Sequence, residues 1–158
     1  MELGKYKHDL NSFIFKMEAS AQLLQDSEAL SPDEIKLISE IILNNTKVLK
    51  LFFDCFSLIE RIEKNGYTPK KKKVVIENIT LFGDPKIMEY VFNIIKILNK
   101  NPALIVEPVK DKIIFQGKFK PENQIEQFFV DFLKKAILFS KLQIDITEDE
   151  IVLSWGKK

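Results

Sequence analysis

The side chains with the most chemistry to offer cluster at the start of the chain. His8 is the one histidine among 158 residues, Asp9 follows it directly, and Asn11, Ser12, Phe15 and Lys16 come within the next few positions. An imidazole with an ordinary pKa near ~6.5 is largely neutral at pH 7, and in that form its lone pair is a competent nucleophile toward a phosphoryl group. Lys5, Lys7 and Lys16 lie close enough along a helix to offset the charge such a group would add. Phe15 occupies the heptad position of His8 seven residues on, so an aromatic shares the outward face with the imidazole, and with Asn11 and Lys16 it forms a candidate docking surface. A single histidine rules out a multi-His metal site, and the lone Cys55 rules out an internal disulfide or a Cys-based zinc site.

The elements that position these residues follow from hydrophobic spacing. Leu3, Tyr6, Leu10, Phe13, Met17 and Leu24 recur at intervals of three and four, with Ser20 interrupting, which predicts a helix with one packed seam. At ~100° per residue His8 then falls roughly 140° from that seam, facing solvent. Asp26 to Leu30 breaks the pattern, and Ser31-Pro32-Asp33-Glu34 supplies an N-cap, a proline at the first helical position and a capping-box glutamate. The second helix carries a seam of Ile35, Ile38, Ile42, Asn45, Leu49, Phe52, Phe56 and Ile59, widened by Ile41, Val48, Cys55 and Ile62. One partner helix leaves part of that stripe bare, so two hairpins are expected to pair into a dimeric four-helix bundle.

Asn65-Gly66-Tyr67-Thr68-Pro69 ends the second helix, with Gly66 suited to the cap. Lys70 to Lys73 read as a solvated linker without stacking aromatics. Beyond them Val74-Val75-Ile76 and Ile79-Thr80-Leu81 read as extended, and Pro85 to Asn99 as helical. Ala103–Val109 with Lys112–Phe119 reads as a hairpin, Pro121 to Lys141 as helical, and Leu142–Ile146 with Glu150–Trp155 as a final hairpin. The expected organisation is α+β: a helical hairpin over residues 1–66 and a small α/β sandwich over 67–158. Asp145, Glu148, Asp149 and Glu150 read as a charged turn, Cys55 as a core residue, and Asn45 as a polar register device in the bundle.

His8-Asp9-Leu10-Asn11-Ser12-Phe13-Ile14 resembles the phosphoacceptor box of two-component histidine kinases, which that family also sets on the first helix of a dimerising hairpin. The resemblance implies His8 as phosphoacceptor, Asp9 as the acidic residue that serves as general base or orienter, and Ser12 at the position where an Asn or Thr orients water for phosphatase activity. The segment from Gly83-Asp84-Pro85 to Ile95 resembles the opening of the family's ATP-binding domain. Aligned so, the magnesium-holding Asn falls on Leu98 and the earlier Asn on Ile94, and an apolar side chain cannot coordinate magnesium. The family's Asp-x-Gly motif falls near Phe115-Gln116-Gly117-Lys118 without its acid, and five glycines cannot build its phosphate loops. The likeness is therefore to the phosphotransferases of sporulation and cell-cycle phosphorelays, which join such a hairpin to a degenerate ATPase-like domain.

The expectation is a phosphorelay histidine phosphotransferase that is not an ATP-dependent autokinase and needs no cofactor or metal of its own. Its partners would be response-regulator receiver domains and a second copy of itself. A receiver phosphatase using Asp9 and Ser12, or a non-catalytic dimeric module that binds a kinase or receiver, are the alternatives. A net charge of +1 supplies no global field for nucleic acid or a membrane. Without an apolar run near the ~20 residues a bilayer requires, and without a leader in the first residues, a cytoplasmic location is expected.

Overall fold

The computed structural model describes residues 3–26, 28, 30–76, 78–140 and 142–155, with 137–140 as backbone. The chain divides into two compact units, Met1–Asp54 and Cys55–Lys158. Among the described residues no helix is long and apolar enough to cross a membrane.

The first unit opens with a 3-10 turn, Leu3–Tyr6, continued by α1 (Lys7–Asp26), and holds the first part of α2 (Pro32–Glu63). The start of α2 is fixed by the reciprocal cap its sequence encodes: the Glu34 amide donates to Ser31 Oγ at 3.2 Å and the Ser31 amide to Glu34 Oε1 at 3.3 Å. The two helices run antiparallel. Tyr6 meets Phe52 edge-on with centroids 5.0 Å apart, and further along Thr46 Oγ1, which donates to the Ile42 carbonyl at 2.8 Å, lies 3.3 Å from Met17 Sδ. Tyr6, Leu10, Ser20, Leu51 and Phe52 are buried, whereas Leu23, Ile35, Leu37, Ile41 and Leu43 stay exposed. The hairpin of one chain therefore leaves much of its apolar stripe in water. Asn45 bonds its own helix, Nδ2 donating to the Ile41 carbonyl at 2.8 Å.

The second unit begins within α2 and continues with β1 (Lys72–Ile76), β2 (Ile79–Gly83), α3 (Pro85–Leu98), β3 (Ile105–Val109), β4 (Lys112–Gln116), α4 (Gln124–Ser140), β5 (Gln143–Ile146) and β6 (Glu150–Ser154). β1 and β2 form an antiparallel pair, and the other strands a separate antiparallel sheet ordered β3-β4-β6-β5. The core lies where helices cover one sheet face. Ile113 and Phe115 on β4 pair with Leu153 and Ile151 on β6, and all four are buried. Phe92 of α3 meets Phe115 edge-on at 5.5 Å, Tyr90 faces Phe132 of α4 at 6.4 Å, and Phe56 at the end of α2 lies 6.2 Å from Phe128. Cys55 is fully buried, as its place in the apolar row required.

Three local details differ from the sequence reading. At the end of α2 the left-handed residue is Asn65 (φ 57°), not Gly66; the Gly66 amide reaches back to the Arg61 carbonyl at 2.6 Å and the Asn65 amide to Ile62 at 3.1 Å. This is a Schellman closure, in which Asn tolerates the position usually given to Gly. Helix α4 starts at Gln124 rather than Pro121, because Asn123 caps it by accepting the Glu126 amide at 2.8 Å. Lys72 and Lys73 belong to β1, so half of the lysine run is strand and not linker.

Candidate functional site

Residue His8 sits in the first turn of α1, two residues from each of the buried Tyr6 and Leu10 and so on the opposite side of the helix. Its side chain is 95% exposed, so helical phase alone puts the imidazole in solvent. Nδ1 lies 3.2 Å from Asp9 Oδ1. A carboxylate there favours the tautomer with the proton on Nδ1 and leaves the Nε2 lone pair for an electrophile. The Asp9 side chain is 17% exposed, so the acid is held against the helix while the ring projects beyond it.

Ser12 lies one turn on and is half-buried; Asn11, Phe15 and Lys16 are exposed, Phe15 at 70%. A direct contact joins His8 to Asp9, and the other residues share α1 with them at helical spacing. Lys16 is partly engaged, its Nζ 5.7 Å from the Phe13 ring. Beside the His8 turn runs an open groove of about 290 Å³, floored by Leu10, Ile14, Leu49 and Phe53 and edged by Lys7 and Asn11. The trough is mostly apolar with a polar rim, a surface suited to a macromolecular partner rather than to an enclosed small molecule, and His8 is not among the residues that line it.

In the second unit, Ile94 and Leu98, the residues standing where the resembled family holds magnesium, are both fully buried on the core side of α3. Gly117 has a local structural reason to be Gly: a Cβ there would fall onto Asn99 Oδ1, which accepts the Asn101 and Lys118 amides at 3.1 Å each. Among the described residues no group of three or more His, Cys, Asp or Glu is placed to hold a metal ion. Asp149 in the acidic turn forms an ion pair with Lys118.

A buried polar knot around Asp84 escaped sequence reasoning. Asp84 is fully buried and caps α3, accepting the Lys86 and Ile87 amides at 3.0 and 3.1 Å. It also accepts the Lys70 amide at 2.7 Å and the Tyr67 hydroxyl at 2.7 and 2.9 Å. Burial alone would raise its pKa; the Lys70 amide, the Tyr67 hydroxyl and the two cap amides outweigh it and hold the carboxyl below its usual range. Burial and the hydrogen bond to Asp84 push the Tyr67 hydroxyl up to about 12. Asp84-Pro85 is an N-cap followed by an N1 proline, so the capping half was legible; the Tyr67 and Lys70 bonds depend on how the connection folds back. Buried Glu126 is held likewise, accepting the Glu122 amide at 3.0 Å and pairing with Lys100.

No protein-family model matches the chain, and no curated relative does. Among solved structures it is similar to Acinetobacter baumannii histidine kinase AdeS, at 13% sequence identity, covering 95% of this chain and 98% of that chain, with a TM-score of 0.47.

Proposed function

We propose that the protein is a dimeric histidine phosphotransfer protein in which His8 relays a phosphoryl group between response-regulator receiver domains. The observation that carries the reading is the 95% exposed imidazole of His8 with Nδ1 against Asp9, on a helix whose pattern resembles a phosphoacceptor box. In the forward step Nε2 attacks the phosphorus of a partner's acyl phosphate in line. The N–P bond forms, the bond from phosphorus to the aspartyl oxygen breaks, and the aspartate leaves as its carboxylate. The ring then carries positive charge, which Asp9 offsets through Nδ1–H. Magnesium would arrive with the receiver.

Asn11, Phe15, Lys16 and the adjoining groove would seat the partner, with Phe15 as an exposed aromatic anchor. The exposed leucines and isoleucines of the hairpin support pairing of two copies into a four-helix bundle. Buried Ile94 and Leu98 support a second unit that does not hold magnesium for ATP.

The test is incubation with a panel of radiolabelled phospho-receivers, comparing wild type with His8→Ala. Acid-labile label on the wild type alone is the expected result, and its absence there refutes phosphotransfer. Release of inorganic phosphate without labelling, lost in Ser12→Ala, would mark a phosphatase instead. Receiver binding that survives His8→Ala without either reaction would mark a docking module.

A further inference from the structure

Lys70, Lys71, Lys72 and Lys73 are all exposed, and among the described residues none of their ammonium groups sits in an ion pair, whereas Lys64, Lys100 and Lys118 each face a carboxylate. Strand register adds what the linear sequence lacks. Lys73 pairs with Phe82 and Val75 with Thr80, so these four side chains share one face of the β1–β2 hairpin. The opposite face carries Val74 and Leu81, both buried. On the outer face Phe82 is 62% exposed and Val75 63%. Of the four lysines, Lys73 lies on this outer face, Lys72 falls with Val74 on the other, and Lys70 and Lys71 lead into the strand; setting the four aside leaves 20 basic against 23 acidic residues, a net charge of −3.

We propose that this outer face is a peripheral membrane-binding surface for anionic lipid headgroups, with Lys73 and the exposed Lys70 and Lys71 that lead into the strand over the headgroups, and Phe82 and Val75 entering the boundary beneath them. Lysine suits a diffuse negative surface, being a compact hydrated charge on a flexible stem, whereas bidentate recognition of individual phosphates selects arginine. Nucleic-acid strands are gripped by successive stacking rings, and this face offers one. Two apolar side chains are too few for the core of a protein interface of ~800 Å² per partner. Lysines on a strand edge also discourage strand pairing, but that role leaves the exposed Phe82 and Val75 unexplained, since both make the edge more adhesive. The inference does not depend on His8.

The whole chain is mixed with vesicles of phosphatidylcholine alone or containing about one-third phosphatidylglycerol, and partition is read by flotation. Binding to the anionic vesicles only, reversed by raising salt, is expected. Lys71→Gln with Lys73→Gln lowers partition about 25-fold, at roughly fivefold per lysine, and Phe82→Ser lowers it about tenfold with the charge unchanged. Circular dichroism checks that the variants fold, and the wild-type salt titration stands without them. Equal partition to neutral vesicles, no partition at low salt, or tighter binding to a single-stranded oligonucleotide than to the vesicles overturns the proposal.

Discussion

Replacing Asp84 with Asn is the sharpest probe of how the second unit is held together. The amide keeps one carbonyl oxygen for the Lys86 and Ile87 amides, and Asn caps a helix about as well as Asp. The new NH₂ then faces the Lys70 amide, which now sits 2.7 Å from a carboxylate oxygen, so donor opposes donor. The Tyr67 hydroxyl can rotate to accept; a backbone N–H cannot. Losing a charge-assisted bond removes about 1.5–3 kcal/mol, and stranding the amide adds ~1–3, partly offset because a neutral side chain needs no desolvation of charge. The expected loss is about 2–4 kcal/mol, read as a lower urea midpoint with unchanged slope. The gap should also depend on pH. Because Asp84 is more acidic in the folded state, its contribution is complete above the ordinary carboxylate pKa near ~3.9 and is withdrawn as pH falls through the lowered folded value. Wild type and variant should therefore converge in strong acid. A loss under about 0.5 kcal/mol, the size of an ordinary surface substitution, or a gap constant from neutral to strongly acidic pH, refutes the reasoning.

Tyr67 has the opposite sign: with its folded pKa up to about 12 against 10.0, its stabilisation is present below pH 10 and is lost as pH rises toward 12, which phenolate absorbance and urea midpoints across that window will follow, with Tyr67→Phe flat. Gly117→Ala should destabilise by about 1–3 kcal/mol, since the added methyl displaces Asn99 from the Asn101 and Lys118 amides and lies 3.0 Å from Phe119 Cζ; an unchanged melting temperature would show that the Asn99 bonds are dispensable. Asn65→Gly should be neutral or slightly stabilising while Asn65→Val costs about 1–2 kcal/mol, because only the first accepts φ 57° without strain; equal effects in thermal melts would remove the Schellman account. Ile35→Lys with Ile41→Lys should turn the proposed dimer into a monomer by light scattering, and a retained dimer mass would place the contact elsewhere.

The parts of the molecule that depend on neighbours in sequence were legible in the sequence. The phase of Tyr6 and Leu10 predicts an exposed His8, and Ser31-Pro32-Asp33-Glu34 predicts where α2 begins, because a helix repeats every ~3.6 residues and its caps act over three. The contact of His8 with Asp9 belongs to the same local class. Features made by residues distant in sequence were decided by tertiary structure alone. The Tyr67 and Lys70 bonds to Asp84 form only when the chain returns to it, and Gly117, inside the segment read as extended, is held to Gly only because Asn99 closes on it. The β1–β2 hairpin is intermediate: Ile76 pairs with Ile79, so its closure is short-range, but the face shared by Phe82 and Lys73 follows only from that register. Local geometry follows from spacing and steric preference, whereas a buried bond between distant segments exists only once the loop between them has closed, which short-range pattern does not encode.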